Sequence, residues 1–124
     1  MSNLTDLGVA ELRDGLKAKK FSATEVTKAT LEKIERENLH YNAFITQTPE
    51  IALAQARVAD EQLAKGSAAA LTGIPVAVKD LFCTKGVLTT AASHILDGFK
   101  PEYESTVTQK LWDAGAVMPG KTNL

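Results

Sequence analysis

In the first half of the chain the apolar residues recur at helical spacing. Val9, Leu12 and Leu16 fall at i, i+3 and i+7, giving one apolar face to a short helix between Gly8 and Lys20. Ser22-Ala23-Thr24-Glu25 is a capping box, in which the serine hydroxyl and the glutamate carboxylate each satisfy an amide that a helix start leaves without a partner. It predicts a second helix running to about Glu37. Asn42-Ala43-Phe44-Ile45-Thr46 carries strand residues, and Thr48-Pro49-Glu50 then offers an N-cap, a proline for the first helical position and an acid for the first turn. Ala52, Ala56, Ala59 and Leu63 follow at i, i+4, i+7 and i+11. That narrow stripe of small residues lets a third helix lie close to a sheet, with Gly66 as its C-cap and Ser67 to Ala70 as a loop.

The period changes after residue 70. Ile74-Pro75-Val76-Ala77-Val78, bounded by Gly73 and by Lys79-Asp80, reads as a buried strand of an α/β sheet, with Pro75 tolerated at its start. A turn at Lys85-Gly86 leads to a second extended run, Val87 to Thr90. Ser105 caps a helix bearing Val107, Leu111 and Ala114, Gly115 ends it, and Ala116-Val117-Met118 forms a last buried strand before a glycine turn. Helices followed by strand, strand, helix, strand give an α/β fold of a single domain, with a helical start over about 1–66 and the first sheet strands and a helix over about 73–124. A terminal strand followed only by a turn leaves an unpaired sheet edge, which invites self-association and suggests a truncated sheet.

Composition narrows the function more than the fold. The 124 residues are 44% hydrophobic and 23% charged, with a formal net charge of −1, so no global field attracts nucleic acid or an anionic membrane. Cys83 is the sole cysteine, which excludes an intramolecular disulfide and fits a reducing compartment. Asp6, Glu11, Arg13 and Asp14 interrupt the N-terminal apolar positions, so no signal-peptide core is present, and no run approaches the roughly 18 apolar residues of a membrane span. A cytoplasmic location is expected.

Several motifs carry candidate chemistry. Gly115 to Thr122 matches the phosphate-binding pattern G-x-x-x-x-G-K-[ST]. That mechanism needs a strand ending at the first glycine and a helix whose N-terminus faces the phosphate, whereas here a helix ends at Gly115 and the intervening residues favour a strand. Val76-Ala77-Val78-Lys79 resembles the lysine strand of protein kinases but lacks the glycine-rich loop before it and the H-R-D and D-F-G triplets after it. Cys83 and His94 would make a thiolate pair only within hydrogen-bond reach; the alternative for Cys83 is a small buried residue beside a strand end. His40 and His94 lack ligand-spaced neighbours, so no metal is expected. Lys79 has two readings: a strand end emerging into solvent, or a general base whose amine is kept neutral by partial burial.

Taken together, Gly73-Ile74-Pro75-Val76-Ala77-Val78-Lys79-Asp80, Cys83-Thr84-Lys85-Gly86, Thr89-Thr90-Ala91-Ala92-Ser93 and Gly115 to Asn123 resemble the amidase-signature family in order and spacing. Upstream, Val9-Ala10-Glu11-Leu12, Phe21-Ser22-Ala23 and Leu31-Glu32-Lys33-Ile34 before Asn42-Ala43-Phe44 resemble the helical start of that family's glutaminase subunit of tRNA-dependent amidotransferases. The resemblance implies a Ser-cis-Ser-Lys hydrolase in which Lys79 is the catalytic base. Both serines of that triad would lie downstream of Leu124, so the 124 residues would be an inactive N-terminal fragment of the mixed-sheet fold. Ser93 and Ser105 match other parts of the pattern and are not nucleophile candidates, and Leu81 departs from the asparagine that many members carry there. It further implies that glutamine is hydrolysed and that the ammonia passes to a B subunit. This partner would use ATP and Mg to amidate Glu on tRNA(Gln) or Asp on tRNA(Asn), a small C subunit would brace the assembly, and the chain itself would hold no cofactor. Another amidohydrolase of the family, or a non-enzymatic remnant, is the alternative.

Overall fold

A computed structural model describes residues 3–124. After a 3-10 turn at Leu4–Asp6, helix α1 spans Val9–Lys17 and α2 spans Ala23–Tyr41, strand β1 is Phe44–Gln47, and α3 is Pro49–Lys65. Strand β2 is Val78–Lys79, a second 3-10 turn covers His94–Leu96, α4 is Thr106–Asp113, and β3 is Gly120–Thr122. The fold is mixed α/β, as its residue pattern predicts.

The capping box at the start of α2 forms as read: the Glu25 amide donates to Ser22 Oγ at 3.0 Å and the Ser22 amide donates to Glu25 Oε2 at 3.0 Å. Asp60 of α3 adds a second cap, accepting from the Ala23 amide at 2.6 Å and from the Thr24 amide and hydroxyl at 3.1 and 2.6 Å. This carboxylate at a helix N-terminus is favoured by the helix dipole and ties α2 to α3. Helix α2 outruns its expected end at Glu37 by about one turn and stops where Asn42 turns left-handed, with φ 49°. Asn38 explains the extension, since its side-chain amide both donates to Phe44 O and accepts from the Phe44 amide, stitching the end of α2 onto β1.

The small-residue stripe of α3 is the centre of the core. Ala52, Ala56 and Ala59 are buried together with Val26, Ala23, Leu12, Leu16, Ile74 and Val117. Val9, expected on the buried face of α1, is instead exposed, because the face that packs is set by Leu12, Gly15 and Leu16. Thr48 precedes α3 as expected but does not cap it with its side chain; its hydroxyl donates to Met118 O at 2.8 Å. Gln55 Oε1 accepts from the Met118 amide, so α3 and the residue before it hold Met118 by both its amide and its carbonyl on the approach to β3.

Three strand expectations are corrected. The run from Ile74 to Val78 forms a regular ladder only at Val78–Lys79, preceded by a single parallel bridge between Pro75 and Val117. The bridge is made by the Val117 amide to Ile74 O and the Val76 amide to Val117 O. The ladder then breaks at Pro119, which has no amide proton to donate, before resuming one residue out of register at Val78 and Lys121. Val87 to Thr90 is no strand, since its polar groups turn inward: the Thr89 hydroxyl donates to Val87 O and the Thr90 amide to Asp80 Oδ2. The last strand lies not at Ala116 to Met118 but at Gly120–Thr122, where a turn was expected, and it is no edge. The sheet order is β1-β3-β2, with β3 antiparallel to β1 and parallel to β2.

Helix α4 is capped by Ser105, whose Oγ accepts from the Thr108 amide at 3.2 Å. It ends in a Schellman motif, with the Ala116 amide returning to Leu111 O and the Gly115 amide to Trp112 O, each at 3.0 Å. Gly115 has φ +89°, and a Cβ there would stand 2.4 Å from Thr72 Oγ1 and 2.6 Å from Thr72 Cα. Gly66 is also left-handed, at φ +74°, but nothing lies within 4 Å of its Cβ position. Gly115→Ala is therefore expected to lose roughly 2–4 kcal/mol of stability and Gly66→Ala about 1 kcal/mol, compared by urea unfolding midpoints.

Candidate active site

The sheet alternation sets where each candidate lysine goes. Val78 points inward, against Met118 and Val87. Lys79, one residue on, pairs with Thr122 of β3 and turns its side chain to the opposite, exposed face. Burial, which the general-base reading invokes, is not supplied by the 124 residues themselves.

The next residue does the reverse. Asp80 is fully buried, its amide donating to Thr122 O at 3.0 Å and its carbonyl accepting from the Ala91 amide at 3.1 Å. Its Oδ2 accepts from the Thr90 amide at 3.0 Å and from the Thr90 hydroxyl at 2.6 Å. Its Oδ1 has no hydrogen bond and faces Lys121 Nζ at 3.7 Å.

Lys121 is fully buried as well, and its ammonium has three protein acceptors: Phe82 O at 2.9 Å, Thr84 Oγ1 at 3.0 Å and Thr89 Oγ1 at 2.9 Å. Both threonine hydroxyls donate elsewhere, to Phe82 O and Val87 O, and so turn lone pairs towards the lysine. An ammonium has three protons to give, and this cradle takes all three. Burial pulls Lys121 below the ordinary lysine range, and the Asp80 carboxylate opposes that pull.

This geometry explains the phosphate-loop match without phosphate. Gly115 is required by its left-handed turn against Thr72. Gly120 is required because β1 crosses so closely that a Cβ would stand 2.5 Å from Thr46 O. Lys121 is committed to the buried cradle and Thr122 to strand pairing with Phe44 and Lys79. The backbone from Gly120 to Thr122 is extended, so it does not curl its amides round an anion.

The remaining candidates fall apart in space or serve locally. Cys83 Sγ lies 3.4 Å from Tyr103 Oη, while exposed His94 pairs with Asp97 at 3.1 Å, so the two take different partners. Ser93 caps the 3-10 turn through the Ile95 amide, and Ser105 caps α4. Among the described residues no group of three or more His, Cys, Asp or Glu could hold a metal ion, and no helix is long and apolar enough to cross a membrane. The Asp80–Lys121 pair is the feature that sequence reasoning missed. The signal available for it was a lysine one glycine beyond the apolar run Ala116 to Pro119.

Comparison with known proteins gives this arrangement a context. The chain is 58% identical over all 124 residues to the A subunit of the glutamyl-tRNA(Gln) amidotransferase of Methylocella silvestris and 56% identical to that of Agrobacterium fabrum. It spans 25% of the length of each of these relatives. Among solved structures it is similar to the native peptide amidase of Stenotrophomonas maltophilia, with a TM-score of 0.89 and 33% identity over 96% of this chain and 25% of that one. A family model described as Amidase matches residues 25–124, and on that match the chain belongs to the amidase family.

Proposed function

We propose that this chain is the N-terminal part of the glutamine-hydrolysing subunit of a tRNA-dependent amidotransferase, and that Lys79 is its catalytic base. The observation that carries the reading is identity of 56–59% along the whole chain to proteins named as A subunits of glutamyl-tRNA(Gln) amidotransferase. By contrast, identity to the peptide amidase is 33%. Because the chain spans a quarter of those relatives, the nucleophile is assigned to residues beyond Leu124.

In this reading a serine hydroxyl attacks the glutamine side-chain carbonyl and its proton passes through a second serine to the Lys79 amine. The proton then goes to the departing nitrogen, ammonia leaves, and water releases glutamate from the acyl-serine. The end of β2 suits this role, since Val78 anchors the strand in the core while Lys79 presents its amine on the open face. ATP, Mg and tRNA are handled by the B subunit, in keeping with the net charge of −1, and a C subunit braces the assembly. A second reading, an amidohydrolase of another amide, draws on the backbone likeness to the peptide amidase.

The test is to join these 124 residues to the remaining three quarters of the Methylocella silvestris protein and to measure ammonia release from glutamine and from a peptide amide. The expected result is hydrolysis of glutamine by the joined protein, lost on Lys79→Ala, and none by the 124 residues alone. Preference for the peptide amide would favour the second reading. Full activity with Lys79→Ala would overturn both.

A further inference from the structure

We propose that Asp80 and Lys121 are a positioning pair, which holds the end of β2 and thereby the direction in which Lys79 leaves the sheet. The proposal rests on the reading of Lys79 as the base. Three observations carry it. First, Asp80 directly follows Lys79 and is held on every side but one: backbone to Thr122 and Ala91, and one carboxylate oxygen to Thr90. The remaining oxygen has no partner except the charge of Lys121, 3.7 Å away. Second, the Lys121 ammonium binds Phe82, Thr84 and Thr89, so a single cation gathers the whole segment that follows Lys79.

Third, the clamp closes on strained backbone. Ala91 and Ala92 both adopt left-handed conformations, with φ 50° and 57°, which a residue with a Cβ disfavours. The Ala91 amide is the one that reaches Asp80 O. Such strain persists only where its surroundings over-determine it. Two buried charges are also a poor way to gain stability alone, since apolar side chains of similar volume often do as well or better. A role in placing Lys79 accounts for both features.

The experiment compares Lys121→Met with the double variant Asp80→Asn/Lys121→Met, which removes both charges and so spares the fold an unpaired buried carboxylate. In the joined amidase, Lys121→Met is expected to lower kcat by about 100-fold with KM within about twofold, the consequence of a base displaced by about 1 Å. The double variant is expected to regain the thermal midpoint but not kcat. Recovery of kcat together with the midpoint would overturn the proposal and leave the pair a structural contact. Amide hydrogen exchange on the 124-residue chain separates this outcome from failure of the glutaminase reading. In the double variant the Asp80 and Ala91 amides should lose protection while those of α2 and α3 keep theirs. Unchanged protection at Asp80 and Ala91 would overturn the proposal whether or not the joined protein hydrolyses an amide.

Discussion

Replacing Lys121 by methionine is expected to lower the thermal unfolding midpoint of the chain by roughly 10–20 °C, read by circular dichroism. Lysine and methionine differ little in length, so the loss comes from the charge of the ammonium and its three hydrogen bonds. With the ammonium gone, Asp80 keeps a fully buried carboxylate whose Oδ1 has no hydrogen bond. Breaking one side of a buried pair costs about 3–5 kcal/mol, because the other charge is left uncompensated in a low dielectric. Asp80→Asn in the same chain removes that charge and is expected to restore most of the midpoint. Lys79→Met, by contrast, alters an exposed side chain and is expected to shift stability by less than about 0.5 kcal/mol.

The largest effect on activity is expected at that same exposed lysine. In the joined amidase, Lys79→Ala should reduce kcat for glutamine by about 10²–10⁴, the usual contribution of a positioned general base. Lys79→Arg should do nearly as much damage, since a guanidinium keeps its proton at any working pH and cannot accept another. If arginine preserved activity, the side chain would be acting through its positive charge, as an electrostatic anchor and not as a base. Steady-state kinetics on the three proteins, with circular dichroism to confirm equal folding, decides between these roles.

The helical half of the fold was legible because its signals are local. The Ser22 to Glu25 capping box, Pro49 at the start of α3 and the left-handed glycines at 66 and 115 each act within one turn of their own position, and all stand where the sequence predicts them. Strands depend on partners far along the chain, so their positions are not encoded locally. The triplet Gly120-Lys121-Thr122 has the composition of a turn, yet it becomes the middle strand because β1, more than seventy residues earlier, arrives against it. Lys79 and Lys121 show the same limit in the site. Both follow apolar runs, and nothing local tells which is exposed and which is buried. The decision is made by Thr84, Thr89 and Asp80, whose convergence on Lys121 is a property of the folded loop. The family resemblance, resting on several motifs in order, singled out Lys79 where periodicity alone left its role open.

In the proposed reading the two lysines divide their work, one presented for chemistry and the other locked into the structure. Competitive labelling of the native 124-residue chain with an amine-reactive reagent, read lysine by lysine by mass spectrometry, tests this most directly. Lys79 should be modified as fast as the exposed Lys19, while Lys121 should react only as fast as the chain opens. Labelling of Lys121 at the rate of Lys79 would contradict the account, because it would mean that the Asp80 cradle does not hold.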